Sequence, residues 1–169
     1  APQLSVGTGL VTLPSGAKVN LCGMILPVYW DLAAILVAKE IDAFSPDLVV
    51  MNGVAGTTQP LWLELGAMNR AGADLDGSGN LGAKTSAAGT APLVTGAPFS
   101  RGNLLSWKPV RSALEAEIVA QSRDATGAST GFGDIVEGVR YAGFPRLSND
   151  YLCNNVTYTV GLLMDSPKK

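Results

Sequence analysis

Residues 19–56 hold three runs in succession: VNLCGMILPV (19–28), DLAAILVAKEIDAF (31–44) and DLVVMNGVAG (47–56). The first is rich in β-branched and apolar residues without polar alternation, the pattern of a buried strand covered on both faces. In the second, Leu32, Ile35, Leu36 and Ile41 recur at helical spacing, and Asp31 stands near the start, where the helix dipole favours an anion. Ser45-Pro46 ends that helix, because the residue before a proline is driven out of the right-handed helical region. The third run is a short apolar segment closing on a glycine turn. Strand, helix and strand predict a βαβ unit with a buried parallel pair. The expected class is α/β, an open and mostly parallel twisted sheet with helices on both faces.

Outward from this unit the alternation continues. LWLELGAMN (61–69) is short and ambiguous, and is read as strand. Residues 71–98 shift to Gly, Ala, Ser and Thr, a long loop region with little core. PVRSALEAEIVAQS (109–122) is a helix with Pro109 near its first position and Leu114, Ile118 and Val119 on one face. A Gly/Ser/Thr loop at 124–133 leads to a strand around 135–142 and a helix from about 150 to 164. There is no internal repeat. The 169 residues, 47% of them hydrophobic, suffice for one core, so residues 1–169 are read as a single domain.

Composition excludes several functions. Twelve basic against fourteen acidic side chains give a net charge of −2, with no basic cluster interleaved with aromatics, which argues against nucleic acid as a partner. The most apolar stretch, 22–37, is interrupted by Pro27 and Asp31 and is too short for a membrane span, so no membrane partner is expected. The Ala1-Pro2-Gln3 start is compatible with removal of a signal peptide, which leaves a secreted location open. The chain has no His, so it holds no imidazole proton shuttle or His-ligated metal site of its own. Cys22 and Cys153 have neither the number nor the spacing for a disulfide scaffold or a zinc site. ADLDGSGNLGAKT (73–85) imitates the start of a calcium loop, but its twelfth position is Thr85 rather than a bidentate Glu, so a polar turn is expected and no metal.

Cys153 is the candidate nucleophile. In SNDYLCNNVTYTVGLLM (148–164), Ser148 or Asn149 can cap a helix that carries Cys153 in its first turn. There, unpaired N–H groups and the positive dipole end favour the thiolate. Cys22, in its apolar run, reads as core.

Three segments, 25–56, 61–69 with 94–100, and 146–158, resemble in order and spacing the pyroglutamyl-peptidase I family of cysteine peptidases. The most specific is Tyr151-x-Cys153-Asn154-x-x-x-Tyr158, similar to the family's nucleophile motif Y-x-C-N-x-x-x-Y. Glu64 stands eleven residues after Gly53, as the family's catalytic Glu follows the first Gly of its motif. The resemblance implies a Cys–His–Glu triad, with Cys153 as nucleophile and Glu64 orienting the imidazole. It implies an exopeptidase that removes an N-terminal pyroglutamyl or related residue from peptides, in the cytoplasm and without cofactor. On the substrate side it places Gly53, Gly56, Gln59, Asn69 and Asp74.

The departures from the family are specific. The family's Arg after the Gly-rich turn is replaced within Thr57–Gln59, Leu65 follows the Glu where Arg is usual, and Asp74 stands where a substrate-side Arg is expected. The family's His lies further beyond its Cys than the 16 residues that follow Cys153. Its aromatic opening motif T-G-F-x-P-F-G has no counterpart in residues 1–18, which contain no Phe. The sheet is therefore expected to be incomplete in this chain alone, with the first strand and the His-bearing strand supplied by another segment of a longer precursor or by a second chain. A homo-oligomer is compatible with this reading. The alternative is a catalytically silent relative that keeps the fold for binding or assembly.

Overall fold

The computed structural model describes residues 5–53, 60–72, 91–103, 105–142 and 151–165. Ten elements follow in order: β1 (Ser5–Thr12), β2 (Lys18–Ile25), α1 (Trp30–Phe44), β3 (Leu61–Glu64), β4 (Gly66–Met68), β5 (Ser100–Gly102), α2 (Trp107–Gln121), α3 (Phe132–Ile135), β6 (Val139–Ala142) and α4 (Leu152–Asp165). The strands pair in twos: β1 with β2 antiparallel, β3 with β6 parallel, and β4 with β5 antiparallel. Parallel pairing across a helical connection keeps the chain in the α/β class expected from its sequence.

Two expectations within the opening runs are corrected. The 19–28 run does not enter a buried parallel pair. Its strand, β2, is mostly exposed and is hydrogen-bonded antiparallel to β1, a strand the sequence reading did not assign. The cause is local. Leu13-Pro14-Ser15-Gly16-Ala17 forms a tight turn in which the Gly16 N–H donates to the Leu13 carbonyl at 2.8 Å and Gly16 adopts φ 83°. A turn followed by a left-handed glycine closes a hairpin and gives β2 a neighbour one turn away in sequence. The third run is also not a strand over residues 47–53, and the parallel pair is β3–β6 instead. Within the expected strand at 135–142, residues 132–135 form the short helix α3 and only Val139–Ala142 pair.

The helices form where the periodicity places them, but not with the expected faces inside: Leu32 and Ile35 of α1 are exposed, and no residue of α2 is buried, with Val119 open to solvent. Trp30, Ala33 and Val37 line one face of α1, Leu152, Val156 and Val160 line one face of α4, and the six form one buried cluster. Met24, Leu26, Val49 and Tyr151 pack around it, and the Trp30 and Tyr151 rings meet edge to face at 5.5 Å. Helix α1 stops where Ser45 turns left-handed at φ 50° ahead of Pro46, its N–H still donating to the Ile41 carbonyl at 2.9 Å. No helix among the described residues is long and apolar enough to cross a membrane.

The opposite face of α4 enters a second cluster, where Tyr158 is fully buried with Ala67, Ala71 and Leu93. Between the two clusters lies Asn154, also fully buried. Its Oδ1 accepts from the Met68 N–H at 2.7 Å, and its Nδ2 donates to the carbonyls of Met68 at 2.8 Å and Arg70 at 3.0 Å. The side-chain amide thus stands in for a neighbouring strand at the end of β4. The Tyr158 hydroxyl donates to the Pro98 carbonyl, and the Arg101 guanidinium pairs with Asp165 at the far end of the helix. These contacts hold α4 along its length. Asn154→Leu keeps the branched shape but is bulkier and removes the partner of one N–H and two carbonyls at a buried position, at a cost of about 3 kcal/mol. The expected result is a lower urea midpoint with an unchanged slope, and an unchanged midpoint would show that the amide is not a structural clamp.

Candidate active site

Glu64 is the last residue of β3, and in the parallel register it lies beside Ala142, the last residue of β6. Side chains at the carboxyl ends of parallel strands open into the crevice where α/β proteins place their ligands. Asn103 secures this end of β3, since its Nδ2 donates to the Glu64 carbonyl and its backbone N–H to the Leu65 carbonyl at 2.9 Å.

Cys153 follows in the first turn of α4, as expected, and the residue is exposed. Its position is fixed by its neighbours. Asn154 is clamped to β4, and Leu152 is buried against α1, so the thiol projects from the remaining face of the first turn. Gly53 comes up to it: a Cβ placed on Gly53 would lie 3.7 Å from the thiol sulfur. The structure therefore brings together Cys153, Glu64 and Gly53, three of the residues singled out in the sequence.

The electrostatics correct one expectation. The backbone N–H at Cys153 does favour the thiolate, but partial desolvation of the sulfur and the charge of Glu64 outweigh it, in that order, and the thiol is pushed up from its ordinary value. The helix N-terminus alone does not activate this cysteine. A carboxylate beside a thiol opposes its ionisation unless a cation lies between them, and no His exists in this chain to supply one.

Asn69 is buried next to this site, but its amide is engaged elsewhere. Its Nδ2 donates to the Val94 and Ala97 carbonyls at 2.7 and 3.2 Å, and its Oδ1 accepts from the Val94 N–H at 2.8 Å. It holds the 94–97 turn against β4, much as Asn154 holds α4. Gly56, Gln59 and Asp74 lie outside the described residues, as does the calcium-like loop at 73–85. Among the described residues no three His, Cys, Asp or Glu side chains gather as a metal site. Asn154 and Asn103 are the site-building residues that reasoning from the sequence missed as such. Asn154 stands in the quoted motif, whereas nothing in the sequence marks Asn103.

The backbone is similar in fold to solved peptidase structures. Pyroglutamyl peptidase I of Bacillus amyloliquefaciens superposes with a TM-score of 0.59 at 16% identity, covering 80% of this chain and 53% of that one. The pyrrolidone carboxyl peptidase of the hyperthermophile Pyrococcus furiosus gives 0.58 at 23% identity, covering 79% and 52%. A mutant of that enzyme gives 0.60 at 22%, covering 81% and 53%. Over the aligned part, the fold is theirs. This chain spans about half the length of each. No family model matches the sequence, and no curated protein matches it.

The electrostatic finding has a direct test. Glu64→Gln removes a negative charge facing the thiol, so the pH profile for iodoacetamide alkylation of Cys153 in this chain moves to lower pH and labelling at neutral pH speeds up. Labelling of Cys22 in the same sample serves as the reference. An unmoved Cys153 profile would show that the two groups do not sense each other.

Proposed function

We propose that this chain is the central part of a cysteine exopeptidase that removes an N-terminal pyroglutamyl or related residue, with a His supplied by another segment of the polypeptide or by a second chain. The observation that carries this is the placement of Glu64 at the carboxyl end of a parallel strand pair where its charge acts on the Cys153 thiol, with Gly53 close beside the sulfur. The fold shared with pyroglutamyl and pyrrolidone carboxyl peptidases supports the same reading.

In this scheme the imidazole sits between sulfur and carboxylate. It accepts the thiol proton, and the resulting imidazolium is stabilised by Glu64 on one side and the thiolate on the other. The thiolate attacks the carbonyl carbon of the scissile amide. As the C–N bond breaks, the imidazolium returns its proton to the leaving amine, and water then hydrolyses the thioester to regenerate the thiol. Glu64, unfavourable beside an isolated thiol, becomes favourable once a cation is present. A second reading, a catalytically silent module for binding or assembly, is favoured by the raised thiol in the chain as it stands.

Denaturing mass spectrometry of the native particle, with hydrolysis of a pyroglutamyl-amide reporter, separates the two. The peptidase reading expects a His-containing polypeptide with this chain and hydrolysis that falls about 10³-fold or more in Cys153→Ser, while Cys22→Ser is unaffected. Glu64→Gln is expected to lower kcat by roughly 10²–10⁴ in that particle, opposite in direction to its effect on alkylation of the chain alone. A particle of this chain only, inert toward the reporter, establishes the silent module.

A further inference from the structure

The face of the β3–β6 pair that carries Glu64 also carries an indole and a guanidinium that the proposed chemistry does not use. Side chains two apart on a strand share a face, so Trp62 lies on the Glu64 side of β3. In the parallel register Trp62 is beside Arg140 and Glu64 beside Ala142, which puts Arg140 on that face too. The opposite alternation is visible directly. Tyr141, paired with Leu63, turns to the other face, where its ring meets Trp107 at 4.6 Å and lies 5.0 Å beneath the Arg111 guanidinium. Helix α2 thus covers the Tyr141 face, while Trp62 remains 37% exposed and Arg140 exposed. Arg140 makes no ion pair among the described residues.

We infer that Trp62 and Arg140 form a subsite for a carboxylate on the leaving side of the peptide, an inference that rests on the peptidase reading above. The pyroglutamyl group is an uncharged lactam, so of a peptide substrate only the part beyond the scissile bond can bring a carboxylate to this guanidinium. Two residues of strand and one inter-strand step separate Glu64 from Arg140, about 8 Å between Cα atoms, so the guanidinium lies on the Glu64 face near the carboxyl end of the pair. A carboxylate past the scissile amide, as at the end of a short peptide, would meet it there. The indole offers its face to the side chain that precedes it.

The test compares pyroglutamyl-Ala-Ala with a free carboxylate and the same peptide as its C-terminal amide, on the native particle. The acid is expected to have a kcat/KM about 3- to 10-fold higher at low salt, narrowing as salt is added, because the pair is exposed. Arg140→Gln brings the two peptides to the same kcat/KM, and Arg140→Lys restores part of the difference. A second readout needs no turnover: Ala-Ala, but not its amide, should change tryptophan fluorescence in the wild type and not in Trp62→Phe. Loss of hydrolysis for both peptides with the fluorescence response kept overturns the peptidase reading alone. Hydrolysis or binding that does not distinguish acid from amide in the wild type overturns the subsite.

Discussion

Everything that positions the thiol depends on one buried amide. Asn154 sits between two apolar clusters and supplies β4 with the hydrogen-bonding edge that the sheet does not provide there. A helix packed through Val156 and Val160 alone could rotate or slide by a fraction of a turn, since apolar contact is non-directional. An amide that satisfies an N–H and two carbonyls at once has no such freedom. Because Cys153 is the adjacent residue, the same bonds that fix the register of α4 on β4 fix the sulfur relative to the ends of β3 and β6. Asn69 repeats the device for the 94–97 turn, and Tyr158 closes the set by bonding to Pro98.

This arrangement sets two acids against each other. Sulfur desolvation and the Glu64 charge both favour the neutral thiol, and the N–H groups at the start of α4 do not overcome them. The balance changes sign only when a positive charge enters between the two groups, for then each negative partner stabilises it and it stabilises both. Under the proposed function an imidazolium is that charge, and the carboxylate that opposes an isolated thiolate then supports the ion pair.

The sequence was most legible where periodicity carries the information. The apolar spacing in 31–44 and the run at 156–164 gave α1 and α4 to within a residue or two at their ends, but not the buried face of α1, which is Trp30, Ala33 and Val37 while Leu32 and Ile35 are exposed. It was least legible in the apolar runs at 19–28 and 47–53, because β-branched composition says that a segment is extended without saying which strand it pairs with. The deciding signal for the first was Pro14-Ser15-Gly16, a turn that gives β2 a local partner. At the site, Cys153, Glu64 and Gly53 were all visible as spaced residues, but the roles of Asn154 and Asn69 depend on contacts across 86 and 25 residues of sequence. The sign of the thiol's shift was also hidden, since it rests on how closely Glu64 approaches in space.

Of the four motif residues, three are accounted for by structure alone. Tyr151 packs on Trp30, Asn154 clamps β4 and Tyr158 bonds to Pro98. A chain that had lost catalysis would still need all three to hold α4, so their presence testifies to the fold more than to the reaction. Cys153 differs from the other three in being exposed. Substitutions at Cys153 and Glu64 therefore test the proposed reaction, whereas substitutions at Tyr151, Asn154 and Tyr158 test the fold that carries it.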